Sequence, residues 1–194
     1  MKLTVFTDYA CPFCYIGYEL VKSVEKVTDI DVEYCFMEIH PEVPKEGTPT
    51  ENIIKGTLDG FNNYIAKLAA PYGIKPQLGK RISNSRKAII LRGFIVDKHP
   101  EKIEEFDKLV YKTYLIDNLD IGADDVLTDV LKQLKIDSTI EIALNNTMAN
   151  IKFEMDRSAS KENYVDMIPA FVVNGKKLVG AVSPGELVAF IENM

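Results

Sequence analysis

Cys11-Pro12-Phe13-Cys14 constrains this chain more than any other stretch, because a thiol pair at this spacing can close and open a disulfide within one helical turn. Before it runs Lys2-Leu3-Thr4-Val5-Phe6-Thr7, apolar and β-branched, with the character of a strand. After it, Leu20, Val21, Val24 and Val27 recur at helical spacing. The pair therefore sits where a strand hands over to a helix. Cys11 occupies or neighbours the N-cap and Pro12 the first helical position, where the missing N–H costs nothing and the fixed φ suits the turn. The amides of Phe13 and Cys14 then point at the Cys11 sulfur, and with the helix dipole they favour an anion there. Cys11 is expected to be the attacking thiolate and Cys14, one turn in, the resolving thiol. Two other readings stand beside this one. A CxxC is half of a zinc site, for which Cys35, His40 and His99 are the remaining His and Cys ligands and no second CxxC or HxxxH exists. The two thiols can also be ordinary buried groups, which the adjoining Pro and the strand-to-helix placement argue against.

Composition sets the frame for a fold around that pair. A chain of 194 residues that is 46% hydrophobic has ample material for a core, so stability need not come from disulfides. Three cysteines are too few for a secreted scaffold, and no charged-then-apolar leader precedes Lys2, so the expectation is a cytoplasmic protein. No apolar run approaches a membrane span. A net charge of -6 without a Lys/Arg block argues against nucleic acid as a partner.

Along the chain, Ile30 to Ile39 reads as a second strand, with Val32, Tyr34 and Phe36 on one face and Cys35, Met37 and Ile39 on the other. Apolar side chains on both faces suggest a central, covered strand. Strand, helix, strand in so few residues is a βαβ unit, and its right-handed crossover puts both strands in one parallel sheet. Cys35 reads as a small buried hydrophobe. Glu38 lies near the strand end that gathers beside Cys11, either as a solvated carboxylate or as a proton relay to Cys14. The loop from His40 to Pro49 then opens a run of about a hundred residues with helical patterning. Thr48-Pro49-Thr50-Glu51 and Ser138-Thr139-Ile140-Glu141 read as capping boxes, Asn84 or Ser85 as a cap, and Met148, Ile151, Met155 and Ala159 as a buried helical stripe. Pro169 precedes a clear strand, Ala170 to Val173. Asn174-Gly175 is a hairpin signal with a return strand from Lys177, and Ser183-Pro184-Gly185-Glu186 caps a terminal helix. The sum is a mixed four-stranded α/β sheet with flanking helices, divided as residues 1–39, a helical insertion 40–145, and residues 146–194.

That order, with a CxxC after the first strand and a Pro before the third, resembles the thioredoxin fold in its DsbA-like branch. Asp8 followed by Cys11-Pro12-Phe13-Cys14-Tyr15-Ile16-Gly17 is similar to the D-x-x-C-P-W-C-Y-I-G of cytoplasmic FrnE-type proteins, and Asn84-Ser85 with Ala88 to their N-T-x-x-A. Asp120-Ile121-Gly122 before Val126-Leu127, and Ile168-Pro169-Ala170-Phe171-Val172-Val173-Asn174-Gly175, extend the likeness over nearly the whole chain. Phe13 stands where those proteins have Trp, Ile89 where a His often follows the Ala, and Met167-Ile168 where Gly-Val commonly precedes the proline, so a more apolar pocket is expected. The resemblance implies a cis bond before Pro169 beside Cys11, with Pro12, Phe13 and the Ile168 backbone available to an extended substrate.

The same branch contains the kappa-class glutathione transferases and the 2-hydroxychromene-2-carboxylate isomerases, in which Ser tends to replace the first cysteine. Retention of both Cys11 and Cys14 favours thiol:disulfide exchange, with no bound cofactor or metal, and with glutathione or a protein dithiol as redox partner. A glutathione-dependent isomerase or transferase and a peptide-binding holdase are the alternatives.

Overall fold

The computed structural model describes all residues, 1–194. Strand β1 (Lys2–Thr7) leads into helix α1 (Pro12–Val24), with Cys11 as N-cap and Pro12 in the first turn. Strand β2 (Asp31–Phe36) then pairs with β1 in parallel, Phe6 opposite Cys35 and Thr7 opposite Phe36. Near the other end of the chain, β5 (Ala170–Val173) lies antiparallel on the free side of β1, with Ala170 opposite Phe6, and β6 (Lys176–Val179) completes the order β2-β1-β5-β6. Asn174 and Gly175 join the last two strands at φ 49 and 76, the pair of positive dihedrals that a type I′ turn requires. Helix α8 (Pro184–Glu192) begins with a complete capping box between Ser183 and Glu186.

Alternation along β1 and β5 decides which helices cover which face. Leu3, Val5, Phe171 and Val173 meet α1 and α8 through Leu20, Val21, Val24, Leu187 and Ile191. Phe6, Phe36, Ala170 and Val172 belong to the larger core built with the intervening helices. Those helices are α2 (Leu58–Ala69), α3 (Arg86–Lys98), α4 (Ile103–Leu115), α5 (Asp124–Gln133) and α6 (Ile140–Leu144), followed by α7 (Thr147–Glu162).

Five local expectations are corrected here. First, β2 is an edge strand, not a central one. Its faces are apolar because helices cover them, and its exposed edge is answered by a side chain: the Phe36 amide donates to the buried Asp156 carboxylate on α7 at 3.1 Å. Second, Thr48-Pro49 opens no helix. It forms strand β3 (Thr48–Pro49), paired antiparallel with β4 (Arg81–Ile82), so the insertion is not wholly helical. A proline carries no ladder donor and is tolerated in such an edge. Helix α2 instead starts after Thr57, whose hydroxyl accepts from the Gly60 amide. Third, α6 is capped by Thr139 rather than Ser138.

Fourth, α7 presents the other stripe. Met148, Ile151 and Met155 are exposed, and Ala149, Phe153, Asp156 and Ser160 are buried. The reason is a close crossing with α3, where a methyl added to Gly93 would sit 2.8 Å from Ala149 Cα. Only a pair of small residues allows that approach, which outweighs the greasier but bulkier stripe. Fifth, Val27, counted on the α1 stripe, lies beyond the helix and is exposed.

Gly93→Ala is therefore expected to destabilise the fold by about 1–3 kcal/mol, since the neighbouring atoms are backbone and cannot step aside. Gly185→Ala on α8, which meets nothing within 4 Å, is expected to be neutral or stabilising by about 0.4–1 kcal/mol. Urea unfolding midpoints of the two variants check both signs.

Candidate active site

Strand β1 ends at Thr7, the chain turns through Asp8, Tyr9 and Ala10, and Cys11 starts α1. Asp8 holds this turn. It is 1% exposed, and its two carboxylate oxygens accept from the Ala10 amide at 3.0 Å and the Ile39 amide at 2.8 Å, tying the ends of both parallel strands together. Burial raises its pKa above the usual carboxylate range, against the pull of those amides and the Ser85 hydroxyl.

Cys11 is 7% exposed and Cys14 1%, so the first thiol sits outermost, and all three cysteines are free. The Phe13 and Cys14 amides do not make the expected bonds to the Cys11 sulfur. The Cys14 and Tyr15 amides bond instead to the Cys11 carbonyl, at 3.0 and 3.4 Å, and the N-cap side chain accepts nothing. Cys11 Sγ lies 3.9 Å from the Ile168 carbonyl. The Ile168-Pro169 bond is cis, and the pairing of Ala170 with Phe6 sets this loop beside the thiol pair. Gly17 makes the close approach feasible, because a Cβ there would lie 3.0 Å from Pro169 Cβ.

The two thiols differ in environment. Burial pushes the Cys14 thiol well above the ordinary thiol range and the adjacent Cys11 adds to this, while the Thr7 hydroxyl and the Asp8 amide draw it down. Cys35, 4% exposed beneath α7, is pushed up to about 12 by burial, with the Asp156 carboxylate adding to the shift.

Behind the pair is an aromatic layer that the sequence did not announce. Tyr111 from α4 stacks on Tyr15 with centroids 5.0 Å apart and an interplanar angle of 9°, and its hydroxyl is 2.7 Å from Thr7 Oγ1. Tyr9 lies 4.4 Å from Phe36 and donates its hydroxyl to Asp107. Asp107 also holds Arg92 through Nε at 2.9 Å and Nη2 at 3.2 Å, an ion pair buried between α3 and α4. In front, Phe13 meets Phe61 and Tyr64 of α2 edge-on or tilted, at 5.8 and 6.2 Å, so α2 walls the outer side. Tyr64 and, next to Ile168, Met167 leave that rim apolar and exposed.

Glu38 is neither solvated nor in contact with Cys14. It lies two residues past β2, is 7% exposed, and both its oxygens are held by Arg86 at the start of α3, at 2.9–3.2 Å. The relay assigned to it in the sequence has no contact to run through. Thr7, Tyr111, Arg92 and Asp107 escaped sequence reasoning; each lies on an ordinary strand or helix pattern, and only the register of α4 brings Tyr111 to Thr7. No three His, Cys, Asp or Glu side chains converge to form a ligand cluster.

The chain belongs to the DSBA-like thioredoxin domain family, whose model matches residues 2–192. It is 22% identical over 183 residues to the uncharacterized protein YwbO of Bacillus subtilis, across 93% of this chain and 90% of that one. A probable DsbA oxidoreductase of Streptomyces coelicolor superposes with a TM-score of 0.85 at 16% identity, over 100% of this chain and 89% of that one. A 2-hydroxychromene-2-carboxylate isomerase does so at 0.75 and 15%, over 100% and 95%. The cytosolic disulfide reductase DsbM of Pseudomonas aeruginosa, solved with glutathione, gives 0.68 and 13%, over 100% and 98%. At these identities the likenesses establish the fold.

In the folded protein, thiol alkylation followed by mass mapping is expected to label Cys11 first, with Cys14 lagging and Cys35 reacting only on unfolding, given their burial and raised pKa values. Stability should also fall in alkali. Cys14 and Cys35 titrate higher folded than unfolded, so the stability they contribute is intact below the free thiol value of about 8.5 and is lost as pH rises above it. The urea midpoint is expected to be lower at pH 10 than at pH 7.5, and Cys35→Ala should reduce that difference.

Proposed function

We propose that this protein is a thiol:disulfide oxidoreductase in which Cys11 attacks a substrate disulfide and Cys14 resolves the resulting mixed disulfide. The observation that carries the reading is the asymmetric pair: two free thiols one helical turn apart, the outer beside the Ile168 carbonyl and the inner sealed and driven toward its protonated form. A thiol held protonated does not compete for substrate, and it is in place to displace the substrate sulfur once Cys11 has been captured. Run backward, the same steps oxidise a dithiol.

Substrate is an extended disulfide- or dithiol-containing peptide lying over Pro12 and Phe13 and pairing with the Ile168 backbone, or a small thiol such as glutathione acting as redox partner. Support for the peptide comes from the apolar rim of Phe13, Tyr64 and Met167. Support for glutathione comes from DsbM, solved with that ligand. A cytoplasmic setting fits three cysteines without structural disulfides.

The test is intact-mass analysis of Cys14→Ser beside the wild type, after incubation with oxidised glutathione and with a disulfide-bonded protein. The expected results are a stable adduct at Cys11 in the variant, a reversible loss of two hydrogens in the wild type, and no reduction of substrate by Cys11→Ser. Retention of activity by Cys14→Ser with no adduct would favour a glutathione-dependent isomerase. Suppression of aggregation undiminished in a variant lacking both thiols would favour a holdase.

A further inference from the structure

We propose that the free edge of strand β2 is a docking site for a short extended segment of a partner polypeptide carrying a basic side chain, which enters as an added strand in the cleft between β2 and helices α3 and α4. The site lies apart from the thiol pair and does not depend on the oxidoreductase reading.

The open edge follows from the register. In a parallel ladder, alternate residues turn both their backbone N–H and C=O toward the same neighbour. The Asp31 amide donates to the Met1 carbonyl at 3.0 Å and the Met37 amide to the Thr7 carbonyl at 2.9 Å, so Asp31, Glu33, Cys35 and Met37 face β1. Val32, Tyr34 and Phe36 therefore point their backbone groups away from the sheet. The Phe36 amide is taken by Asp156 at 3.1 Å, but the backbone groups of Val32 and Tyr34 find no partner in the protein. The Tyr34 hydroxyl is buried and has none either. Unmet polar groups gathered on two neighbouring edge residues need an explanation that packing does not supply.

Beside this edge is a cleft of about 480 Å³, with Val32 and Tyr34 on one wall and Arg92, Val96, Ile103 and Glu104 of α3 and α4 on the other. That volume is in the range of ligand sites. Tyr18 of α1, its ring centroid 5.7 Å from that of Tyr34, and Lys152 of α7 close the sides. At the far end the edge is stopped by Asp156 on the Phe36 amide and by the Arg92 guanidinium carbon, 4.4 Å from the Phe36 ring centroid. Such a slot admits one slender strand and excludes a second sheet, so the edge can stay open without edge-to-edge association. A segment lying in it gains main-chain hydrogen bonds from Val32 and Tyr34.

Charge selects the occupant. Every cation of the lining is already engaged: Lys2 with Glu33 at 2.7 Å, Lys22 with Glu25 at 3.0 Å and Glu104 at 3.6 Å, Arg92 with Asp107, and Lys152 with Asp156. Of the lining carboxylates, Asp31 has no ion pair, and it is exposed at the open end of the edge. A lysine or arginine beside Asp31 completes the pattern, whereas an acidic segment meets a carboxylate and no free cation.

The test is site-resolved amide hydrogen exchange of the full chain, first alone and then with acetylated pentapeptide amides that carry arginine at the centre of β-branched residues. In the free protein the Val32 and Tyr34 amides are expected to exchange faster than those of Glu33 and Cys35, which bond to β1. The peptides should slow exchange at Val32 and Tyr34. Affinity, read from the chemical shifts of the same amides, is expected to fall about fivefold when glutamate replaces arginine, and Asp31→Asn should remove most of that preference. N-methylation of the peptide backbone should weaken binding about threefold to tenfold, the worth of a hydrogen bond. Val32→Pro should do the same, since it deletes an N–H that lies outside the ladder and proline is tolerated there; if that variant does not fold, the methylated peptides carry the same comparison. Val32 and Tyr34 amides already as protected as their neighbours, no protection at about millimolar peptide, equal binding of the glutamate peptides, or the same protection by arginine amide alone would each overturn the proposal. Disulfide exchange by Asp31→Asn should match the wild type, so a chain without exchange activity that still binds the peptides defeats the oxidoreductase reading and leaves this inference standing.

Discussion

The turn that carries the thiol pair is held against the helical insertion by a buried polar network, the Arg92–Asp107 ion pair with the Tyr9 hydroxyl on the same carboxylate. Such a pair contributes little net stability against an apolar replacement, because removing both ions from water offsets most of their attraction. Its directional bonds nevertheless allow one arrangement and exclude neighbouring ones. Arg92 comes from α3, Asp107 from α4 and Tyr9 from the turn before the thiols, so three separate stretches are locked in a single relative position. Arg92 also sits over Phe36, its guanidinium carbon 4.4 Å from the ring centroid, so the edge strand shares in the lock. With α4 fixed in this way, Tyr111, one turn after Asp107, is delivered to Thr7.

A second constraint acts from the other side of β1. The antiparallel pairing of β5 places Pro169 against Gly17 and the Ile168 carbonyl near Cys11. The outer thiol is thus bounded by α2, through Phe13 and its aromatic neighbours, and by the loop before β5, while the inner thiol is sealed from solvent. Two cysteines of identical chemistry come to differ because one borders the rim and the other the sealed interior. This difference in solvation, more than the helix terminus alone, distinguishes the two thiols, since the expected amide bonds to the Cys11 sulfur are not made.

Much of this was legible in the chain itself. The thiol pair, the strand before it, Pro12 in the first turn, the hairpin at Asn174-Gly175 and the capping box at Ser183 are local signals, each set by the dihedral or hydrogen-bonding preference of a few neighbouring residues, and each appears where it was read. The mixed four-stranded sheet followed from their order. Where the reading failed, two local readings competed and something distant chose between them. Met148, Ile151 and Met155 make as good a helical stripe as Ala149, Phe153 and Ser160, and only the close crossing at Gly93 selects the latter. Apolar side chains on both faces of β2 record that its faces are covered and carry no information about its edge.

By itself, then, the sequence determined the elements that short-range chemistry dictates and the presence of a vicinal thiol pair at a helix start. The tertiary structure decided which groups surround that pair. Glu38 was drawn to Arg86, 48 positions away, and Tyr111 was brought to Thr7 across 104 positions. Contacts at such separations depend on how helices cross and which strands pair, and these are settled by packing the whole core at once, so no window of the sequence contains them.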